Sequence, residues 1–596
     1  MCGIVGQANA HAPIDRRLFQ QMRDTLTHRG PDDAGSWWSA DRRVALGHRR
    51  LSFLDLSPAG RQPMCNESEN LWITLNGEIY NYLELRRELL ARGHRFKSES
   101  DTEVLLHGYE EWGLGLLNRI KGMFAFGIWD EEKKELLLAR DRFGIKPLYY
   151  GWIDGNFYFA SELKAILKGL PGRPTLRMSS ISDYLAYRYV PSPYTIWEGL
   201  YKLPPAGYLF FSQEDTSLSR KPGAYWELVS GNQKTGPEEA IEQVGQLLKN
   251  SVQEHLRSEA PVGNFLSGGY DSSALVALSK ELGFQPETFS IGFQGWPQSE
   301  HQYAELVARR LDVPIHTTIV GAEQLDLLDT LVYHYDEPIA DISIIPTYMV
   351  SQLASRHNKA VLSGEGADEI FGGYTWQKEI ARFGQWRARA AYARQIFSPG
   401  QRNFFVERYA EAMAMGRFHS GNLPSILHPR LRTSIPEFSE WFYASHYRPK
   451  ERPLKAFQYL DVKTFMAELV LTKIDRASMA HSLEVRVPFL DHELVEYLFQ
   501  LHPSVYFREG QTKFLLRENI KHRLPEAILN RPKQGFVGPD SYYMDMDWYQ
   551  KNLRNGRLIQ DDILSEQGLE KLFQQKSHWQ LWKLIVLEKW WKRWMR

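Results

Sequence analysis

Leu266-Ser267-Gly268-Gly269-Tyr270-Asp271-Ser272-Ser273 decides the architecture of this chain. The apolar run Val262–Leu266 leads into it and the helical pattern Ser272–Leu282 leaves it, which makes a strand–turn–helix unit. Its glycines and serines leave backbone N–H groups and hydroxyls free at a helix start, the form that cradles phosphates. The strand-then-helix rhythm recurs twice, Thr288–Gly292 into His301–Leu311 and Ala360–Leu362 into Asp368 onward. That repetition predicts a parallel, doubly wound α/β sheet with ligands at the carboxyl ends of its strands. From residue 375 the pattern turns largely helical.

The first 210 residues read differently. Short apolar strands (Gly3–Gln7, Val44–Arg50, Leu71–Leu75, Met123–Trp129, Glu135–Ala139, Phe157–Ala160) alternate with turns, and two helices, Tyr82–Arg92 and Thr102–Trp112, interrupt them. Met123–Trp129 is apolar on both faces, so it should lie between layers, as in an αββα sandwich. Between 211 and 237 the chain is polar and broken by Gly and Pro, which reads as a linker. The expected organisation is therefore 1–210, a linker 211–237, and 238–596.

Composition sets bounds on function. At 596 residues the chain is long enough for two to four cores. Lys+Arg and Asp+Glu are both 72, so no global charge draws it to nucleic acid or an acidic surface. Cys2 and Cys65 are the only cysteines, which excludes a disulfide framework and fits a reducing compartment. With no signal-peptide pattern and no long apolar run, a cytoplasmic protein without a membrane span is expected.

Chemistry concentrates at a few positions. In Met1-Cys2-Gly3-Ile4, removal of Met1 would put an α-amino group, titrating near ~8, beside the Cys2 thiol as its general base. Asn76-Gly77-Glu78, after the strand Leu71–Leu75, offers an amide, a backbone N–H and a carboxylate within three residues. Asn76 and Gly77 suit an oxyanion hole in a turn, while Arg50 suits a carboxylate and Asp101 an ammonium group. Each alone has a plainer explanation: a buried thiol, a β-turn, a surface ion pair. In the second half, the turn offers Asp271 to Mg²⁺ and lacks the Gly-Lys-Ser/Thr ending of a P-loop. Cleavage to AMP and pyrophosphate therefore fits better than γ-phosphate transfer. Val361-Leu362-Ser363-Gly364-Glu365-Gly366-Ala367-Asp368-Glu369-Ile370-Phe371-Gly372-Gly373 adds three carboxylates and four glycines at a second strand end.

Several motifs carry a resemblance. His28-Arg29-Gly30-Pro31-Asp32, His48-Arg49-Arg50-Leu51-Ser52, Asn76-Gly77-Glu78-Ile79-Tyr80-Asn81, Ser100-Asp101-Thr102-Glu103 and Gly122-Met123-Phe124-Ala125-Phe126, with Met1-Cys2-Gly3-Ile4, resemble the class II glutamine amidotransferase domain. The later segments resemble the synthetase domain of glutamine-dependent asparagine synthetases, and the likeness covers nearly the whole chain in order. It implies ammonia release from glutamine by Cys2, with Asn76 and Gly77 at the oxyanion and Arg50, Asn76, Glu78 and Asp101 holding glutamine. It further implies an internal tunnel and attack of ammonia on an acyl-adenylate made from ATP. For the nucleotide and pyrophosphate it implies Leu266, Ser267, Gly268, Gly269, Asp271, Ser272, Ile291, Ser363 and Gly364, with Leu266 and Ile291 framing adenine. Asp368 would join Asp271 on Mg²⁺, Glu365 would take the ammonia proton, and Lys533 in Asn530-Arg531-Pro532-Lys533-Gln534-Gly535 would neutralise the adenylate.

Other positions carry weaker expectations. Lys473-Ile474-Asp475-Arg476 and Glu484–Asp491 read as structural ion pairing near the nucleotide. Tyr270 stands where many relatives carry Leu, placing a phenol beside the phosphates. Asp336, Glu337 and Asp341, with a cation from a helix over Leu471–Arg486, would make an amino-acid pocket. The expected partners are glutamine, ATP and aspartate or another small carboxylate such as a sugar acid or peptide, with a homodimer as an open option. The tail, with Trp579, Trp582, Trp590, Trp591 and Trp594 among basic residues, suits either a packed terminal helix or a membrane-surface helix.

Overall fold

The computed structural model describes residues 2–53, 57–215, 217–218, 220–383, 403–508, 511–529, 531, 535–536 and 538–595; Lys533 lies outside them. Its strands are β1 (Gly3–Asn9), β2 (Asp33–Trp38), β3 (Val44–Arg50), β4 (Met64–Cys65), β5 (Leu71–Ile79), β6 (Gly122–Asp130), β7 (Glu135–Arg140), β8 (Tyr149–Ile153), β9 (Asn156–Ala160), β10 (Leu200–Lys202), β11 (Gly207–Ser212), β12 (Gly223–Ala224), β13 (Val262–Phe265), β14 (Thr288–Phe293), β15 (Ile315–Val320), β16 (Ala360–Leu362) and β17 (Glu484–Arg486).

Two antiparallel six-stranded sheets, ordered β10-β8-β9-β1-β3-β2 and β12-β11-β7-β6-β5-β4, form the first half. Their inner faces interlock through Ile4, Leu46, Phe157 and Phe159 of one and Ala125, Trp129, Leu136 and Leu138 of the other. The helices Tyr82–Ala91 and Asp101–Trp112 cover the outer face of the second sheet through Leu85, Leu89, Val104 and Leu105. Phe19 and Met22, on the helix Arg16–Asp24, pack against Val5 and Ala45 of the first sheet. This is the αββα sandwich, and β6 is buried on both faces as its composition requires. The second sheet extends through β11 and β12 to Ala224, so the stretch 211–237 is not linker throughout.

The second half is built on a parallel sheet ordered β15-β14-β13-β16-β17. The chain leaves β13 for β14 on one side and reaches β16 on the other. That puts a topological switch point at the carboxyl ends of β13 and β16, where open α/β sheets bind ligands. One expectation fails here. The helix Leu471–Met479 stops well short of Arg486, and Glu484–Arg486 is instead the edge strand β17. Val485 and Val487 flank Arg486, and β-branched residues in alternation suit a pleated edge better than a helix.

A buried ion-pair network joins the halves. The Arg29 guanidinium, wholly buried, donates to both oxygens of Asp475 at 2.9 and 3.0 Å and to Glu162 at 2.9 Å. Arg476 pairs with Glu162 at 2.7 Å and with Asp336 at 3.6 Å, and Lys164 reaches Asp336 at 2.9 Å. The His28-Arg29 motif and Asp475-Arg476 are thus interface residues and do not lie at the nucleotide cavity. Opposed charges at this depth keep each other ionised: Asp475, although burial pushes it up, sits below the usual carboxylate range because of Arg29, and Arg29 is raised in turn.

The terminal helix His578–Trp594 is packed. Trp582 and Trp590 are fully buried, the Trp590 indole donates to the Asp336 carbonyl at 2.6 Å, and the Trp594 indole donates to the Val332 carbonyl at 3.0 Å. The membrane-surface alternative is thereby set aside. No helix among the described residues is long and apolar enough to cross a membrane.

Candidate active sites

The first site lies at the seam of the two antiparallel sheets. Cys2 precedes β1, and Leu51, following β3, accepts from its Sγ at 4.0 Å, while Arg50, which ends β3, is buried and donates to the Ser57 carbonyl at 3.3 Å. From the other sheet Asn76 reaches across, its Oδ1 accepting from the Cys2 N–H at 3.0 Å. Asn76 Nδ2 is buried with no hydrogen-bond partner, a donor free for an oxyanion. The expected turn at Asn76-Gly77 is absent: β5 continues to Ile79, pairing Asn76 with Ala125 and Gly77 with Phe124. Glycine is required there by close approach, because a Cβ would fall 2.1 Å from the Met123 carbonyl oxygen.

Carboxylates crowd this pocket, with Glu78, Asp101 and Glu484 close enough to influence one another. Burial pushes the Cys2 thiol up, so the sulfur needs a base to ionise. Burial and the neighbouring Glu484 push Asp101 up to about 6, although it accepts from the Ile79 N–H at 2.9 Å. Glu78 rises too, through burial, Glu484 and Asp101. Arg486 lies 3.8 Å from Glu78 and 2.6 Å from Glu484. Clustered carboxylates pushed upward are relieved by an added cation, so the pocket suits a ligand carrying an ammonium group.

The second site is a cavity of about 710 Å³ at the switch point of the parallel sheet. Leu266, Ser267, Gly268, Gly269, Asp271 and Ser272 line it from the end of β13, and Ser363, Gly364, Glu365 and Asp368 from the end of β16. The helix Tyr270–Glu281 starts at its mouth. Gly268 must be glycine: its φ is +72°, and a Cβ would fall 2.6 Å from the Ala304 nitrogen. Glu365 accepts from the Ser363 hydroxyl, which aims the carboxylate.

Two placements differ from the sequence expectation, and Tyr270, which lines the cavity as expected, gains a further contact. Ile291 packs in the apolar core and does not line the cavity; the preceding Phe289 and Ser290 do. The Ser290 hydroxyl is buried without a hydrogen-bond partner. The Tyr270 hydroxyl donates to the Leu529 carbonyl, so its phenol ties the loop to the 529 segment. Asp336 and Glu337 belong to the interface: Asp336 accepts from the Leu163 N–H at 2.8 Å, and Glu337 accepts from the Ile196 N–H at 2.8 Å and pairs with Lys202 at 3.1 Å. Of the three acids only Asp341 lines the cavity, with Arg188 at 3.6 Å and Lys473 at 4.0 Å.

Two further residues escaped the sequence. Lys513 Nζ sits between Asp271 Oδ2 at 2.5 Å and Asp368 Oδ1 at 2.6 Å. Burial alone would lower this ammonium, yet the two carboxylates raise it. The carboxylates therefore converge on one cation position, a donor set that suits Mg²⁺. Lys513 follows no apolar run and belongs to no motif. Arg188, at the end of the helix Met178–Tyr187, comes from the other half of the chain, so spacing gave no signal.

One residue touches both sites. Arg486 faces Glu78 with its side chain, while its carbonyl accepts from the Ser363 N–H at 2.9 Å.

Family comparison agrees with these two centres. The model described as asparagine synthase matches residues 243–592, and that described as glutamine amidotransferase domain matches residues 1–226. Asparagine synthetase (glutamine-hydrolyzing) 1 of Bacillus subtilis is 34% identical over 574 residues, 93% of this chain and 90% of that one. Asparagine synthetase (glutamine-hydrolyzing) 3 of the same organism is 31% identical, covering 90% and 87%. Amidase chry2 of Gibberella zeae is 30% identical over 91% of this chain and 90% of that one.

Proposed function

The chain belongs to the glutamine-hydrolysing asparagine synthetase family, ATP-dependent ligases with a glutamine amidotransferase domain, and from this premise we propose that it makes asparagine from aspartate, ATP and glutamine. Residues 1–210 would release ammonia, 238–596 would activate the acceptor acid, and 211–237, whose first part completes the second antiparallel sheet, would connect them. Cys2, freed of Met1, attacks the glutamine γ-carbonyl while its own α-amine takes the proton. The orphaned Asn76 Nδ2, with the Gly77 N–H, receives the oxyanion. Glu78 and Asp101 take the α-ammonium, and Arg50 takes the α-carboxylate.

In the second cavity the turn Ser267–Ser272 holds the pyrophosphate at the helix start, and Leu266, Ser363 and Gly364 surround the nucleotide. Asp271 and Asp368 would hold Mg²⁺, which supplies positive charge to the phosphates when bound. Lys513 supplies a second positive charge there, beside the neutralising role proposed for Lys533 at the adenylate. Glu365 takes a proton from attacking ammonia.

The observation that carries this proposal is the Arg486 bridge, because one residue abutting both centres suits transfer of a small nucleophile between them. For the acceptor, Asp341 with Arg188 and Lys473 provides one anion and two cations, complementary to an α-ammonium and carboxylate groups. The amidase relative supports a second reading, amidation of another carboxylate by the same chemistry.

Arg188→Ala tests the acceptor. A charge-assisted bond is worth about 1.5–3 kcal/mol, so the KM for aspartate should rise about tenfold or more while the KM for ATP stays within about twofold. An unchanged aspartate KM, with faster AMP release on a sugar acid or peptide carboxylate, would support the second reading.

A further inference from the structure

We propose that the amidotransferase half carries a divalent-metal site of the zinc class, built from Glu67, His94, His107 and Glu110 and using none of the residues assigned to the two reaction centres. His107 lies on the helix Asp101–Trp112, and its side chain is wholly buried with neither ring nitrogen hydrogen-bonded. Its Nδ1 faces two carboxylate oxygens, Glu67 Oε2 at 3.4 Å and Glu110 Oε2 at 3.6 Å. His94 Nδ1 faces the same Glu110 oxygen at 3.8 Å. Ligand bonds of about 2.0–2.1 Å in a tetrahedron put neighbouring donors about 3.3–3.4 Å apart, close to these separations.

The surroundings favour a positive charge held among these side chains. The His107 ring nitrogens meet the Glu67, Glu110 and Glu103 carboxylates at 3.4–3.6 Å without a hydrogen bond, so anionic donors surround a buried imidazole and favour a cation there. Each histidine turns its Nε2 toward a further carboxylate: Glu103 lies 3.6 Å from His107 Nε2, and Glu111 lies 3.4 Å from His94 Nε2. Carboxylates behind ligating histidines fix ring orientation in metal sites. Glu67 is already oriented, its Oε1 accepting from the Arg95 N–H at 2.9 Å. Two neutral imidazoles and two carboxylates balance a dication, and the nitrogen donors favour zinc over magnesium. The ion would tie the helix bearing Asp101 to the turn at Glu67 and the loop at His94.

Zinc titration of the chelator-treated full chain, followed by calorimetry and thermal unfolding, tests this. One zinc per chain is expected, with a higher Tm and no displacement by excess Mg²⁺. His94→Gln and Glu110→Gln should abolish that site. Glu111→Gln, which leaves all four ligands intact, should weaken it about 10–100-fold. A separate surface group, Glu287, His316 and His357, is also spaced for a metal, so His316→Gln serves as a control and should leave the stoichiometry unchanged. No saturable one-to-one binding, binding undiminished in a folded His94→Gln chain, or loss only in His316→Gln would overturn the proposal.

Discussion

Cys2→Ala should lower glutamine-dependent amidation by about 10⁴-fold or more, while amidation supplied with ammonium salts continues at the unmodified rate. The substitution removes only a small buried sulfur; the backbone N–H that bonds Asn76 and the packing of β1 remain. No other thiol can substitute, because Cys65 sits on the edge strand β4. The second cavity receives no side chain from β1, so acyl-adenylate formation should be untouched. Intact-mass measurement of the unmodified chain should show Met1 removed, since only then does the sulfur have an adjacent amine. Loss of ammonium-dependent activity, or retention of Met1 in active protein, would break the two-site account.

The second large effect separates two carboxylates in one cavity. Glu365→Gln should lower amide formation by about 10²–10⁴-fold, the usual worth of one positioned base. Pyrophosphate exchange should persist, because activation of the acceptor needs no proton acceptor for ammonia. Asp271→Asn should stop exchange and AMP release together, since it removes half of the donor pair shared with Asp368 and leaves Lys513 less balanced. Equal loss of pyrophosphate exchange in the two variants would contradict this division of labour.

The sequence was most legible where a local pattern had a single physical solution. The Gly268-Gly269 turn between an apolar strand and a helix fixed the strand–turn–helix unit at the second cavity, and β6, apolar on both faces, fixed the layered sandwich. Other features were set by contacts distant in sequence. Asn76-Gly77 reads as a turn by composition, yet Gly77 answers to the carbonyl of Met123 on the neighbouring strand. Asp336 and Glu337 look like acceptor ligands until Lys164 and Lys202, more than a hundred residues earlier, claim them. Lys513 could not be found from sequence because its partners, Asp271 and Asp368, belong to two different strand ends. β17 was hidden for a related reason: three residues make a strand only where β16 already offers an edge.

The central claim is that ammonia freed at Cys2 reaches the acyl-adenylate beside Glu365 without leaving the protein. Glutamine labelled with ¹⁵N in its amide, supplied with aspartate, ATP, Mg²⁺ and an excess of unlabelled ammonium salt at neutral pH, tests it by mass spectrometry of the product. The bridge at Arg486 predicts asparagine carrying the label in proportion to glutamate formed, with little dilution by the ammonium pool. Product labelled only to the extent of the mixed ammonia in solution would show two independent sites and contradict the account.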